Sequence, residues 1–251
     1  MTRPDKRAPD ALRPVTIETG LQRNPEGSVL YRCGGTSVLI SASLEDGAPR
    51  WMDTPGHGWL TAEYQMHPRC NPRRQHREGR RGSIGGRTAE IQRLIGRALR
   101  SCVALEDLGD RTITIDCDVL DADGGTRTAS VTGGFVALAI ALDRLVKDGS
   151  VRTGILRTPI AAISVGLLKD APILDLCYLE DRDAEVDLNV VGTGDGAFVE
   201  VQGTAEGAPV PRAQLDAMLD LALGAMPELI ASQKAALESV GVNLDRLLEK
   251  P

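Results

Sequence analysis

The sequence predicts an α+β fold, and three observations carry that prediction. Strand-like alternation and helical periodicity are both present. The β-type runs come in adjacent pairs instead of alternating singly with helices. The order of hairpins followed by a helix occurs twice, which marks a weak duplication. A chain of 251 residues, 42% of them hydrophobic, can bury a substantial core and reads as one domain over residues 1–251.

The elements follow in chain order. Ser28–Cys33 and Thr36–Ser43 are β-type runs separated by Gly34-Gly35, a dipeptide suited to a two-residue hairpin turn. From Trp51 to Gly86 the chain is rich in Gly, Pro, Arg and His; one short strand is expected near Trp59–Tyr64, and the rest reads as a long exposed loop. Ile91, Leu94, Ile95, Ala98, Leu99, Cys102 and Val103 recur at helical spacing and turn Arg93, Arg97 and Arg100 away from the buried stripe. Thr112–Leu120 alternates with period two and delivers the chain to Asp121-Ala122-Asp123-Gly124-Gly125. Val131, Phe135, Leu138, Leu142 and Leu145 then define a second helix. Two antiparallel pairs follow: Ala161–Leu176 turning at Lys169-Asp170, and Glu185–Gln202 folding at Gly194-Asp195-Gly196. A long helix from Pro211 to about Leu237 closes the pattern over a sheet face.

Composition narrows the function classes. The net charge is −6, yet Arg69, Arg73, Arg74, Arg77, Arg80, Arg81 and Arg87 crowd a stretch opposed only by Glu78. A polyanion meets that local field before the total charge. Such a run can be a solvated surface, but its density favours contact with successive phosphates, and the scarcity of aromatics in it favours backbone contact over base stacking. The five cysteines are scattered without C-x-x-C spacing, which fits neither a disulfide framework nor a zinc site, so reduced thiols in a cytoplasmic protein are expected. Met1–Pro14 lacks the apolar centre of a signal peptide, and the best apolar run, Phe135–Leu142, is too short to span a bilayer; no membrane association is expected.

Two glycine-led segments could bind anions. Gly85-Gly86-Arg87-Thr88 and Gly124-Gly125-Thr126-Arg127-Thr128-Ala129-Ser130 each open a predicted helix, where backbone N–H groups, the positive dipole end and a guanidinium can converge on one anion. Glycine at a helix start also serves simple turn geometry, and it is the adjoining arginines and hydroxyls that tilt the reading. No Walker lysine follows either pair, which leaves a free phosphate or a phosphodiester as the ligand. The third element is acidic. Glu180–Asp187 runs into an alternating strand in which Glu185, Asp187 and Asn189 share one face while Val186, Leu188 and Val190 share the other. Carboxylates beside phosphate can place Mg²⁺ or move a proton; a solvated charged turn is the plainer alternative. His57, His67 and His76 share no metal spacing, His76 reads as part of the basic loop, and no nucleophile elbow is present.

Longer ordered motifs accompany these features: Arg3-Pro4, Arg7-Ala8-Pro9-Asp10, Leu12-Arg13-Pro14-Val15, Gly58-Trp59-Leu60-Thr61-Ala62-Glu63-Tyr64, Glu90-Ile91-Gln92-Arg93-Leu94-Ile95-Gly96-Arg97 and Val201-Gln202-Gly203-Thr204-Ala205-Glu206-Gly207. With the two glycine segments they resemble the bacterial ribonuclease PH family over nearly the whole chain. The resemblance implies the RNase PH fold, duplicated βαβ-type halves with mixed sheets and packed helices. It implies a phosphate-dependent 3′-to-5′ exoribonuclease, a nucleotidyltransferase that trims 3′-terminal nucleotides of tRNA precursors as nucleoside diphosphates, reversibly, within tRNA and rRNA processing. Inorganic phosphate would be the co-substrate, bound by Arg87, Gly125, Thr126 and Arg127. Asp181 and Asp187 would be the catalytic pair associated with Mg²⁺, and Arg69, Arg74 and Arg77 would grip tRNA away from its 3′ end. The family's assembly is a ring-shaped homo-hexamer, a trimer of dimers. Two alternatives remain open at this point: a non-catalytic RNA-binding ring subunit of the same fold and, more distantly, an anion-binding regulator.

Overall fold

The computed structural model describes residues 3–249, with the side chains of Arg80 and Arg81 in the basic run lying outside the description. Two β-sheets with their covering helices build the fold. The first sheet holds β1 (Val15–Thr19), β2 (Gly27–Cys33), β3 (Thr36–Asp46), β4 (Trp59–Met66) and β5 (Arg111–Asp121) in the order β1-β2-β3-β5-β4. All its pairings are antiparallel except β4 with β5, which run parallel because α1 (Gly86–Ser101) carries the chain between them as a βαβ crossover. In β5 the alternation read from the sequence holds: Ile113, Ile115, Cys117 and Val119 are buried, and the residues between them face outward.

The second sheet, in the order β7-β6-β8-β9, is antiparallel throughout. It comprises β6 (Ile160–Leu168), β7 (Ala171–Leu174), β8 (Val186–Thr193) and β9 (Phe198–Ala205). The β6–β7 turn sits at Lys169 and Asp170, both at positive φ, as the sequence placed it. The long helix α4 (Arg212–Ser239) packs on this sheet through Met218, Ala222, Met226 and Leu229. The duplication therefore repeats the layering of sheet and helix, whereas the parallel crossover belongs to the first half alone.

Between the sheets runs α2 (Thr126–Lys147), buried nearly all round. It is long and apolar enough to cross a membrane, but 89% of its most apolar window is buried inside the protein, so its hydrophobicity serves the core. The Thr132 hydroxyl donates to Ala162 O (3.1 Å) and accepts from Ala162 N (2.9 Å), tying α2 to β6. Gln233 of α4 donates to Thr132 O and Ile160 O, joining all three. Residues at the start of α2 are thus held by both halves of the chain. The five cysteines are buried and free.

Three elements were not read from the sequence: β1, the short helix α3 (Tyr178–Asp183) and the terminal turn α5 (Leu244–Leu247). The short strand expected near Trp59–Tyr64 is β4, extended to Met66, and the rest of Trp51–Gly86, expected to be loop, contains one turn of 3-10 helix at Glu78–Arg81.

Candidate active site

Gly124 and Gly125 lie at φ 77° and 67°, successive left-handed conformations that turn β5 sharply into α2. A side chain at Gly124 would press on the Leu176 carbonyl oxygen and stand 2.8 Å from the Cys177 carbonyl carbon. The glycine is therefore required both for its backbone angle and for the closeness of the chain entering α3. Gly125 caps α2, and the free N–H groups of its first turn open toward a cleft. The Thr126 hydroxyl is held by the buried Tyr64 hydroxyl at 2.8 Å, and Thr128 donates back to Gly125 O at 2.9 Å.

The cleft has a volume of about 480 Å³. Its wall brings together Arg87 and Thr88 from the start of α1, Gly125, Thr126 and Arg127 from the start of α2, Asp181 from α3, and Asp187 and Asn189 from β8. Every residue expected to bind phosphate or act on it meets there, although the set spans a hundred positions of sequence. Arg69, Arg74 and Arg77 do not join the wall; they are exposed on the segment between β4 and α1. Their neighbours Asn71, Gln75, His76 and Glu78 do reach it. Glu78 accepts from Gly85 N at 3.3 Å, which folds this segment back onto the start of α1.

The two cations differ in setting. Arg127 donates to Gln202 Oε1 at 3.0 Å and lies 3.5 Å from Glu90 Oε1, while Gln202 Nε2 donates to the same glutamate at 2.7 Å. A triangle of Glu90 on α1, Gln202 on β9 and Arg127 on α2 thus fixes one guanidinium edge. Arg87 is exposed and has no hydrogen-bond partner among the described residues. Asp181 is exposed on the cleft wall. Desolvation first, then the neighbouring Asp187 charge, push its carboxyl up, against the pull of Arg87 and Arg127, and the net shift is upward. The two carboxylates therefore sense each other within a field made by both arginines. Among the described residues no cluster of three metal-ligating side chains occurs.

The machinery that places α3 lies in the N-terminal segment, where sequence patterns gave motifs without a structural role. Arg3 donates from Nε and Nη2 to the two Glu180 carboxylate oxygens at 2.7 and 2.9 Å, and Nη2 also donates to Leu174 O and Asp175 O. Glu180 in turn accepts from Cys177 N at 2.9 Å, closing a capping box at the start of α3. Arg7 donates to Asp175 O. Arg13 binds Asp175 and also donates to Asp123 O at 2.5 Å, so it couples the chain entering α3 to the glycine turn. Glu90, Gln202, Arg3 and Arg13 are thus functional supports; all stand in motifs already noted, but only their long-range contacts disclose what they hold.

Residues 11–142 match the model of the 3′ exoribonuclease family, domain 1, and residues 158–225 match that of the 3′ exoribonuclease family, domain 2. Among solved structures, rice (Oryza sativa) Rrp46 is similar at 19% identity and a TM-score of 0.76, covering 94% of this chain and 100% of that chain. An Archaeoglobus fulgidus exosome with RNA bound to the active site is similar at 21% identity and a TM-score of 0.76, covering 92% of each chain. At these identities the likeness is one of fold.

Proposed function

The chain belongs to the 3′ exoribonuclease family, and from that premise we propose that it removes 3′-terminal nucleotides of RNA by phosphorolysis, with tRNA precursors as its substrates and inorganic phosphate as co-substrate. The observation that carries this reading is the convergence of Arg87, Arg127 and the α2 N-terminus with Asp181 and Asp187 in the wall of one cleft. Phosphate and phosphodiester repel one another, so a catalyst must first hold two anions in line. The guanidiniums and the N–H groups of α2 answer that need, and they also offset charge that spreads over the phosphoryl oxygens in the transition state.

A phosphate oxygen attacks the last phosphodiester phosphorus, the bond from phosphorus to the O3′ of the preceding nucleotide breaks, and a nucleoside diphosphate leaves. The departing O3′ takes up a proton. Asp181, with its carboxyl pushed upward, is suited to hold that proton and deliver it. The alternative role for the pair, in its ionised form, is to bind Mg²⁺, which is commonly held by one or two carboxylates with water and phosphate oxygens completing its shell. Asp181 and Asp187 would hold the ion, and it would supply charge neutralisation at the phosphoryl oxygens. Because a phosphodiester is exchanged for a phosphoanhydride, the reaction runs in both directions. Arg69, Arg74 and Arg77, exposed and outside the cleft, would hold the body of the RNA, and a homo-hexameric ring would present several such loops to one molecule.

A ring subunit that guides RNA without chemistry has no physical use for a carboxylate pair set against two cations, and the shared cleft favours the enzyme. The deciding measurement is product analysis on a short 3′-extended RNA with and without phosphate. Nucleoside diphosphates released only with phosphate support phosphorolysis. Monophosphates released without it would replace it with hydrolysis, and RNA binding with no release would favour the scaffold.

A further inference from the structure

The cleft wall contains two phenol rings in opposite circumstances. Tyr64 is 1% exposed, and its hydroxyl is spent on Thr126. Tyr178 is 55% exposed, lines the same cleft, and no hydrogen bond of its hydroxyl is found among the described residues. A large ring left open to solvent in a polar cleft gives up burial energy that the fold could have used. Its neighbour Leu179 is also exposed, but that side chain does not line the cleft.

The position of Tyr178 is fixed independently of its ring. It is the first residue of α3, its backbone N–H donates to Asp123 Oδ1 at 3.2 Å, and the preceding residue is capped by Glu180. Tyr178 and Asp181 stand three residues apart on α3, so they share a face with Cβ atoms about 5–6 Å apart. A linkage at Asp181 therefore has the Tyr178 ring one helical turn away, within reach of a nucleoside attached to that linkage. Every nucleobase offers a π-face, and an open aromatic ring beside a phosphate site is the surface such a base stacks on.

We propose that Tyr178 is a substrate-binding residue whose ring stacks against a nucleobase flanking the attacked phosphodiester. This rests on the phosphorolytic reading and deepens it. The cations hold the phosphates, and the ring sets the register of the strand so that the last linkage, and no other, lies at Asp181. A purine, with the larger π-face, gains more from the contact than uracil.

The experiment measures the affinity of oligoadenylate, in phosphate-free buffer, for the wild-type chain, Tyr178→Phe and Tyr178→Leu. A second oligomer lacks the bases of its last two nucleotides. Expected is an affinity loss of about tenfold for Tyr178→Leu on the intact oligomer, from the loss of one stacked base, with Tyr178→Phe near wild type and neither variant altered on the base-free end. Equal losses on both oligomers, or no loss in Tyr178→Leu, would overturn the proposal. A Tyr178→Phe defect as large as that of Tyr178→Leu would also overturn it, by assigning the contact to the hydroxyl. Since binding is read without phosphate, a wild-type chain that shows the stacking pattern yet releases no diphosphate when phosphate is added sinks the phosphorolytic reading and leaves Tyr178 standing. Loss of the pattern with diphosphate release intact does the reverse.

Discussion

Arg13 holds Asp175 with three hydrogen bonds: two guanidinium N–H groups at 2.6 and 3.0 Å and its own backbone N–H at 2.7 Å. Both side chains are buried. The carboxylate sits on the segment that leads into α3, and the same guanidinium touches the glycine turn. Removing one partner strands a buried charge, so Asp175→Asn should lower unfolding free energy by about 3–5 kcal/mol. Urea denaturation measures it, and a loss below about 1 kcal/mol would show that the pair is not a structural tie.

Acid should loosen the same region first. Burial raises the Asp175 carboxyl, but the hydrogen bonds and charge of Arg13, with the charge of Arg7, outweigh it and the net shift is downward; Glu180 is likewise lowered overall, with Arg3 and the Cys177 hydrogen bonds together outweighing burial. Carboxyls depressed in the folded state bind fewer protons there than in the unfolded chain. Their stabilisation is therefore complete above the unfolded values of about 4 and is lost as pH falls through the folded ones. The urea midpoint of the wild-type chain should drop below about pH 4, and Asp175→Asn should flatten that slope. Parallel slopes in the two proteins would contradict the assignment.

Gly124→Ala tests the turn that aims α2 at the cleft. The left-handed backbone alone costs an alanine about 1–2 kcal/mol, and the clash with Leu176 O adds to it. The expected phenotype is a folded, less stable protein with weakened phosphate binding, read by phosphate-dependent protection against thermal unfolding. Undiminished protection would separate the turn from the site.

Gln202→Ala frees the guanidinium edge of Arg127 that the triangle with Glu90 fixes. Losing one hydrogen bond of this kind should raise the KM for phosphate by up to about tenfold with little change in kcat. A fall in kcat at constant KM would place Gln202 in the chemistry instead.

Asp181→Asn should trade function for stability. Desolvation and Asp187 push this carboxyl up in the folded state, so folding favours its neutral form and stability falls as pH rises through its pKa. The neutral amide removes that conflict. The variant should show a higher urea midpoint at pH 7 than wild type and no diphosphate release. A lower midpoint, or retained release, would refute the conflict.

Elements with ten or more patterned residues were legible in the sequence because period and burial coincide: β5, α1 and α2 appear where alternation and helical spacing put them. The glycine segments and the Asp187 face were legible for the same local reason. β1 alternates Val15, Ile17 and Thr19 with Thr16 and Glu18, but five residues between Pro14 and Gly20 carry too little signal. α3 is six largely charged residues with no apolar stripe; it forms because Glu180 caps it and Arg3, 177 positions earlier, grips Glu180. No local pattern can encode that. The resemblance marked Arg3, Arg7 and Arg13 as motif residues, and only the fold gives them work.

That reach also sets an order of events during synthesis. Arg3 leaves the ribosome 177 residues ahead of the glutamate it must meet, an interval of about ten to thirty-five seconds at ordinary translation rates. Until then Arg3 lacks Glu180 and Arg13 lacks Asp175, and α3 has no strap. Arg87 and Arg127 are therefore made before Asp181 and Asp187, and the cleft they share is completed only when Arg3 closes on a glutamate synthesised long after it.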